Sequence, residues 1–126
     1  MSEKPMRISE AANQCGLSID TIRYYEKEGL LPEVPRSSDG QRRFTAESVD
    51  WLILLGSLRE TGMAMTTMSR FAALYRDGNR TIPERRQILR QHSEQLSRRR
   101  QEVDRCEELL SYKLKMYDKR EAEPRS

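Results

Sequence analysis

Two kinds of hydrophobic spacing divide the chain near residue 80. Before that point, short apolar groups at helical spacing alternate with glycine, proline and small polar residues, which predicts several short helices. After it, apolar residues recur every seven positions. A sustained seven-residue repeat is typical of a coiled coil, so we predict one long helix over residues 81–118. The repeating positions are Ile82, Leu89, Leu96, Val103, Leu110 and Tyr117.

The other positions of the same seam are mostly polar: Arg85, His92, Arg99, Cys106 and Lys113. A half-polar seam favours specific pairing over strong stabilisation, and a symmetric homodimer is the simplest arrangement. The residues alone leave the relative direction of the two helices open. The predicted dimer interface comprises Ile82, Leu89, His92, Leu96, Val103, Cys106, Leu110 and Tyr117.

Near the amino terminus, the pattern predicts two short helices joined by a tight turn. We expect Ser9 to cap the first helix and Gly16 to end it in a left-handed conformation. Ser18 is then placed to cap the second helix by accepting from an amide near Thr21, with Asp20 at the positive helix end. Such a pair is a helix-turn-helix.

The second helix carries Arg23, Tyr24 and Tyr25 in a row, a cation beside two aromatic hydroxyls that suits contact with DNA. Helical hairpins without nucleic-acid contacts are common, and adjacent tyrosines are often packing residues. Tyr25 continues the stripe of Ile22 and is expected to be half buried, whereas Tyr24 projects away from it.

Asp39-Gly40 follows as a hairpin-turn signal, so residues 36–44 are predicted to form a wing with short strands. In a wing, Arg42 and Arg43 are expected to reach DNA phosphates, and Phe44 is expected to anchor the hairpin in the core. The alternative is a solvated loop with ordinary surface arginines.

Two further helices follow. The first has a Thr45–Ser48 capping box, Arg59 near its end and a stop at Gly62. Three methionines surround the start of the second, and they suit either core packing or a soft ligand patch. Thr81 is expected to cap the long helix, with Pro83 in its first turn.

Composition restricts the remaining possibilities. With 36% hydrophobic and 34% charged residues, the core should be small, and a partner subunit helps to bury enough apolar area. A net charge of +3 permits DNA binding without requiring it. We expect residues 1–6 and 119–126 to be disordered, and the chain to be cytoplasmic, without a signal peptide or membrane segment.

These motifs together resemble the amino-terminal domain of the MerR family of bacterial transcription regulators. The match runs over about residues 7 to 76, and a long helix follows where the family has its dimer helix. Motifs in this order are far more specific than any one alone. The segments that carry the resemblance are Ile8–Ala12, Gly16–Ser18, Thr21–Glu26, Gly29-Leu30, Gly40–Phe44 and Leu58–Met63.

The resemblance implies an all-α fold with a small β wing: a winged helix-turn-helix domain at 7–78, then an antiparallel coiled coil. It also implies a homodimer on a double-stranded, pseudopalindromic promoter, whose spacer is distorted so that RNA polymerase can engage it. Thr21 and Arg23 are expected nearest the base edges, with phosphates held by the aromatic and basic residues. The predicted DNA-binding residues are Ser18, Thr21, Arg23, Tyr24, Tyr25, Arg42, Arg43 and Arg59.

No catalytic constellation or cofactor motif appears, so an enzyme is not expected, nor is a cofactor. Metal-sensing relatives place cysteines at the dimer helix, and none is present there at Gly78–Thr81, so we expect no metal site. The chain looks most like the branch linked to aldehydes, other electrophiles and nitrosative stress. That branch often has a cysteine in the third helix, where this chain has Leu54–Ser57.

Cys15 and Cys106 are the thiols that remain as candidate redox or effector sites. Cys15 suits a small buried position. Cys106 lies beside Arg105, which favours the thiolate, although Glu102, Glu107 and Glu108 oppose that effect. The effector itself is not identified by these residues. Alternatives to an effector-controlled regulator are an architectural or repressor protein that needs no effector, and a protein–protein adaptor that uses only the long helix.

Overall fold

The computed structural model describes residues 5–32 and 34–124. Its α-helices are α1 (Ile8–Cys15), α2 (Ile19–Lys27), α3 (Ala46–Glu60), α4 (Met65–Arg76) and α5 (Ile82–Ala122), with a 3₁₀ turn at Asn79–Thr81 before α5. The chain forms two compact units, Met1–Leu89 and Arg90–Ser126. The first unit therefore holds four helices and the first two turns of α5. The predicted disorder of residues 1–4 and 125–126 lies outside the described residues.

The first two helices form the predicted helix-turn-helix. Gly16 ends α1 at φ 76°, a conformation that glycine adopts without strain. Ser18 begins α2, and its Oγ accepts the Thr21 amide at 3.1 Å. The expectation for Ser9 was wrong: Arg7 is the residue before α1, and no side chain caps that helix. Ser9 lies in the first turn, because the helix starts at Ile8, two residues earlier than a Ser9 cap predicts.

One hydrophobic core joins these helices to α3 and α4. Ala11 is fully buried, and α1 packs against both α2 and α3. Gly56 on α3 allows a close approach, since a Cβ there would lie 3.1 Å from the Leu17 Cδ2. The largest fully buried side chains are Phe44, Ile22, Leu30, Leu52, Leu55 and Met68.

The wing is a tight turn with very little strand. Within the described residues, Arg36 and Arg42 form a single antiparallel bridge, and the Ser37 amide donates to the Gln41 carbonyl at 2.8 Å. Pro35 has no N–H to donate, so the ladder cannot continue normally on that side. Phe44 is fully buried, which confirms its predicted role as the anchor of the hairpin.

Met6 corrects the predicted boundary of the domain. It was expected in a disordered segment, but its N–H and C=O both bond Phe44, at 2.8 and 2.7 Å. This pairing holds the chain before α1 against the end of the wing.

Thr45 caps α3 in the predicted box with Ser48. Gly62 then ends the α3 region at φ 99°, as expected. Met63 and Met68 are buried in the core, which is the packing interpretation of the methionines.

The start of α5 differs in detail from the prediction. The Thr81 hydroxyl points back to α4 and donates to the Leu74 and Gly78 carbonyls, instead of accepting from an amide of α5. Arg85 Nε donates to the same hydroxyl at 3.1 Å. Thr81 therefore ties α5 to the preceding helix within the first unit.

The predicted long helix is confirmed, and it runs further than expected. It spans 41 residues, about 60 Å at 1.5 Å per residue, and ends at Ala122 instead of residue 118. Lys119 and Arg120 lie in its last turn, where their positive charges interact favourably with the negative end of the helix dipole. This interaction favours extension of the helix into the segment that was predicted to be disordered. In the described second unit, the large apolar side chains that are exposed are Val103, Leu109, Leu110, Tyr112, Leu114 and Tyr117.

Candidate nucleic-acid interface

The amino end of α2 presents two linked hydroxyls. Ser18 Oγ accepts the Thr21 amide and donates to Thr21 Oγ1 at 2.9 Å. With Oγ1 accepting, the Thr21 hydroxyl proton is available to an acceptor outside the protein. Ser18 is exposed and Thr21 half-buried, so the cap also forms a polar surface at the start of the helix.

Three successive residues of α2 differ in their surroundings. Arg23 is exposed and Tyr24 is 50% exposed, whereas Tyr25 is only 5% exposed. Burial raises the pKa of Tyr25, which the nearby Arg59 charge partly offsets. The structure thus makes Tyr25 a core residue to a greater degree than the predicted half burial. Its contact with a phosphate stays a prediction.

The wing presents its arginines through a hydrogen-bonded turn. Arg36 donates to the Gly40 carbonyl at 2.9 Å, and Asp39 Oδ1 accepts the Gln41 amide at 3.1 Å. The Ser37 hydroxyl also donates to Asp39, and these two bonds hold the pKa of the carboxyl below its usual range. The turn therefore has a defined shape although its tip is exposed.

Arg42 and Arg43, the two predicted phosphate contacts of the wing, both face carboxylates. Arg42 pairs with Glu26 of α2, and both side chains are about one quarter exposed, at 26% and 25%. Arg43 lies 4.0 Å from Asp39. The Arg42–Glu26 pair links the wing to α2, a positioning role that the sequence did not reveal.

The wing and the helix-turn-helix together enclose a cationic cleft of about 360 Å³. The prediction included Arg23 and Arg42 but missed Arg7, Arg36 and Gln41, which lie far from α2 in the chain. Within the described part of the chain, the Arg23 guanidinium has no ion-pair partner. The cleft is lined by Arg7, Ile8, Ser9, Arg23, Arg36, Gly40, Gln41 and Arg42.

Two side chains hold the segment that joins α2 to the wing. Arg76 at the end of α4 donates to the Gly29 carbonyl at 2.7 Å and to that of Leu31 at 3.3 Å. Trp51 Nε1 donates to the Leu30 carbonyl at 2.8 Å. These backbone bonds position the wing relative to α2, and no local sequence signal indicates them.

The remaining predicted site residues lie elsewhere. Arg59 is exposed near the end of α3. Cys15 is half-buried, and its Sγ lies 3.7 Å from the Ala12 carbonyl, which suits the packing role. Cys106 is exposed on α5, in the second unit. Neither thiol is among the residues that line the cationic cleft.

Searches of residues 5–32 and 34–124 find no helix long and apolar enough to cross a membrane. The same residues contain no group of three or more potential metal ligands.

A capped helix with outward polar and cationic side chains, beside a cationic wing, is the arrangement of a winged helix-turn-helix DNA-binding protein. Comparison with known proteins agrees. Residues 7–44 match the MerR family regulatory protein model, and residues 49–112 match the model described as MerR, DNA binding. The chain belongs to the MerR family and is a DNA-binding transcription regulator of that type.

Relatives with known sequences or structures support this assignment. An uncharacterized HTH-type transcriptional regulator of Haemophilus influenzae is 40% identical, over 90% of this chain and 84% of that protein. HiNmlR, a MerR family regulator lacking the sensor domain and solved bound to promoter DNA, is 39% identical with a TM-score of 0.83 over 94% of each chain. A putative MerR family regulator from Listeria monocytogenes is 33% identical with the same TM-score, over 90% of this chain and 86% of that one.

Proposed function

We propose that the chain acts as a homodimer that reads a pseudopalindromic promoter with two copies of α2 and distorts the DNA between the half-sites. The observation that carries this proposal is the place of Arg23. It is exposed on the capped helix and lines the same cleft as the wing arginines, so one guanidinium can enter a groove while the others meet the backbone.

The residues divide into two roles. Ser18, Thr21 and Arg23 lie nearest the base edges, because the amino end of the second helix enters the major groove in this motif. Backbone phosphates are met by residues on the flanks, which fix the register of the protein on the duplex. This second group comprises Tyr24, Tyr25, Arg42, Arg43 and Arg59, to which the cleft adds Arg7 and Arg36.

Dimerisation through α5 is supported by the apolar side chains of the second unit. Val103, Leu110 and Tyr117 are each more than half exposed, and they occupy the seven-residue repeat. An antiparallel pair of such helices places two reading units on one duplex. Bending and overtwisting of the promoter, with RNA polymerase bound to the same DNA, follows from the family and is part of this proposal.

The test replaces Arg23 with alanine and uses duplexes selected from a randomised library by the wild-type protein. We expect Arg23→Ala to weaken binding to the selected duplex by about tenfold to hundredfold, the loss of one bidentate base contact. Binding to random duplex should weaken much less, so the specificity ratio falls. Fluorescence anisotropy at several salt concentrations measures both affinities.

Two controls make this test specific. Arg43→Ala should weaken binding to both duplexes similarly, and it should reduce the slope of log affinity against log salt concentration by about one. Arg100→Ala removes an exposed arginine of α5 and should change neither affinity. An equal loss on both duplexes for Arg23→Ala counts against base reading. It favours the alternative of an architectural DNA-binding protein with little sequence preference.

A further inference from the structure

Glu26 stands beside Arg23 on α2. It follows Arg23 by three residues, and side chains at this spacing are neighbours on the surface of an α-helix. Opposite charges so placed attract each other, and such pairs stabilise isolated helices. An ion pair between these two residues would compete with DNA for the Arg23 guanidinium.

The structure pairs Glu26 with the wing instead. Arg42 Nε donates to Glu26 Oε1, and each of the two side chains is about one quarter exposed. Among residues 5–32 and 34–124, by contrast, no carboxylate lies within ion-pair distance of the Arg23 guanidinium. Glu26 is thus bonded to a cation 16 residues away in the chain and not to the cation on its own helix.

The wing fixes the place of Arg42 for this contact. The Arg42 backbone forms the antiparallel bridge with Arg36, and the amide of the next residue, Arg43, donates to the Pro35 carbonyl at 2.8 Å. Arg23 and Arg42 line the same cleft. Their two guanidiniums are therefore alternative partners for one carboxylate, and the fold of the wing decides between them.

We propose that Arg42 holds the Glu26 carboxylate and thereby keeps Arg23 available for a base edge. Arg42 is then a positioning residue that acts on base reading through Glu26, in addition to the phosphate contact proposed for it above. The inference rests on the proposed function, in which Arg23 enters the major groove. It adds the contact that leaves the Arg23 guanidinium to the DNA.

The reason lies in what Glu26 does without its partner. Loss of the Arg42 side chain leaves a mostly buried carboxylate unpaired, which is unfavourable. Of the residues three or four positions from Glu26 in the chain, only Arg23 is a cation. Glu26 then attracts Arg23, and base reading weakens although Arg23 itself is unchanged.

The first measurement is the affinity of Arg42→Ala for the selected and the random duplex, by fluorescence anisotropy. A lost phosphate contact weakens both duplexes alike, whereas a lost base contact lowers the ratio of the two affinities. We expect this ratio to fall about twofold to fivefold, the effect of one partly exposed ion pair that competes with the base contact. Arg42→Lys keeps a cation for Glu26 and should retain most of the wild-type ratio. Circular dichroism verifies that each variant is folded.

Removal of the carboxylate is the second measurement. In the double variant Arg42→Ala, Glu26→Gln, no charge remains at position 26 to attract Arg23. We therefore expect its affinity ratio to return to the wild-type value. Glu26→Gln alone should keep the wild-type ratio for the same reason. This non-additive pattern in the double-mutant cycle supports the proposed role of Arg42.

Asp20 provides the matched control. It lies three residues before Arg23 on α2, so Asp20→Asn removes the same charge at the same spacing. In the described part of the chain, however, Asp20 forms no ion pair with Arg42. Asp20→Asn should change the affinity ratio by the same factor in the wild type and in Arg42→Ala. A rescue equal to that by Glu26→Gln would reveal a general effect of negative charge and would overturn the inference.

Two other results would overturn the inference and leave the proposed function standing. An equal fall of the ratio in Glu26→Gln and in Arg42→Ala would mean that the pair acts only as a strut between α2 and the wing. An unchanged ratio in Arg42→Ala, with both affinities reduced and the salt slope lower by about one, would assign Arg42 to a phosphate alone. If Arg23→Ala does not lower the ratio, the proposed function fails, and this inference fails with it.

Discussion

The Ser18 hydroxyl accepts the Thr21 amide and lies on the exposed start of α2, so capping and DNA contact meet in a single residue. A serine cap stabilises its helix whether or not the serine also contacts DNA. Contact with a phosphate, in contrast, requires a hydrogen-bond donor and is opposed by a negative charge at the same position. Substitutions that keep one property and change the other separate the two roles.

We expect Ser18→Ala to lower the free energy of unfolding by about 1 kcal/mol, because the Thr21 amide loses its partner. Ser18→Asp should keep the stability, since aspartate caps as well and its charge suits the helix end. It should nevertheless bind DNA more weakly than wild type, through repulsion of phosphates. Thermal denaturation by circular dichroism and anisotropy on a selected duplex measure the two effects. Wild-type affinity in Ser18→Asp would show that Ser18 does not face the DNA.

Asp39 links the shape of the wing to pH. Hydrogen bonds from Ser37 and from the Gln41 amide depress the pKa of its carboxyl, so the folded turn favours the ionised form. The ionised Asp39 carboxylate therefore contributes to the stability of the folded turn at pH values above the ordinary pKa of an aspartate. This contribution is lost as the pH falls through the depressed pKa.

We therefore expect the Gln41 amide resonance to titrate with a midpoint below the ordinary aspartate pKa when followed by NMR through the acid range. Asp39→Asn keeps an acceptor of the same shape and should abolish this titration. A midpoint at or above the ordinary value in the wild type would mean that the turn does not bind the carboxylate in solution.

At the scale of elements, the seven-residue repeat predicted a long helix, and the structure contains one, α5. The wing was predicted from two turn residues, and a few backbone bonds complete it.

Adjacent residues of α5 test the proposed seam. Leu110→Asp places a carboxylate in the predicted interface of both subunits, where it is costly to bury without a partner. We expect the dimer dissociation constant to rise at least about a hundredfold, with a parallel loss of affinity for a two-half-site duplex. Ser111→Asp adds the same charge one position further, off the seam, and should have little effect on sedimentation. Similar behaviour of the two variants would contradict the proposed seam.

For the molecule as a whole, the two thiols belong to different units. Cys106 is exposed in the second unit, on the predicted seam, whereas Cys15 is half-buried at the end of α1 in the first. In the proposed homodimer, a reagent that modifies Cys106 acts on the predicted seam.

We expect any response of promoter transcription to oxidants or aldehydes to be lost in Cys106→Ser and kept in Cys15→Ser. In vitro transcription with purified polymerase, with and without the reagent, measures the response for each variant. A response that persists in Cys106→Ser would exclude this thiol as the sensor.

Most of the reading motif could be predicted from sequence because its signals are local. The Ser18 cap, the Gly16 and Gly62 stops, the Thr45–Ser48 box and the Asp39-Gly40 turn each depend on a few neighbouring residues, and all appear in the structure. The errors concern boundaries: the Ser9 cap, the Thr81 cap, Met6 and the end of α5. At Met6 and Thr81 a competing contact, with Phe44 and with α4, decided the outcome.

The sequence by itself determined the helices, the wing turn and the heptad, because hydrophobic periodicity and capping act over a single turn or a few turns. Only the tertiary structure brought Arg7 and Arg36 to Arg23, paired Arg42 with Glu26, and placed Arg76 and Trp51 on the backbone between α2 and the wing. Those contacts join residues far apart in the chain. Their geometry depends on how the helices pack around a common core, which no local pattern specifies.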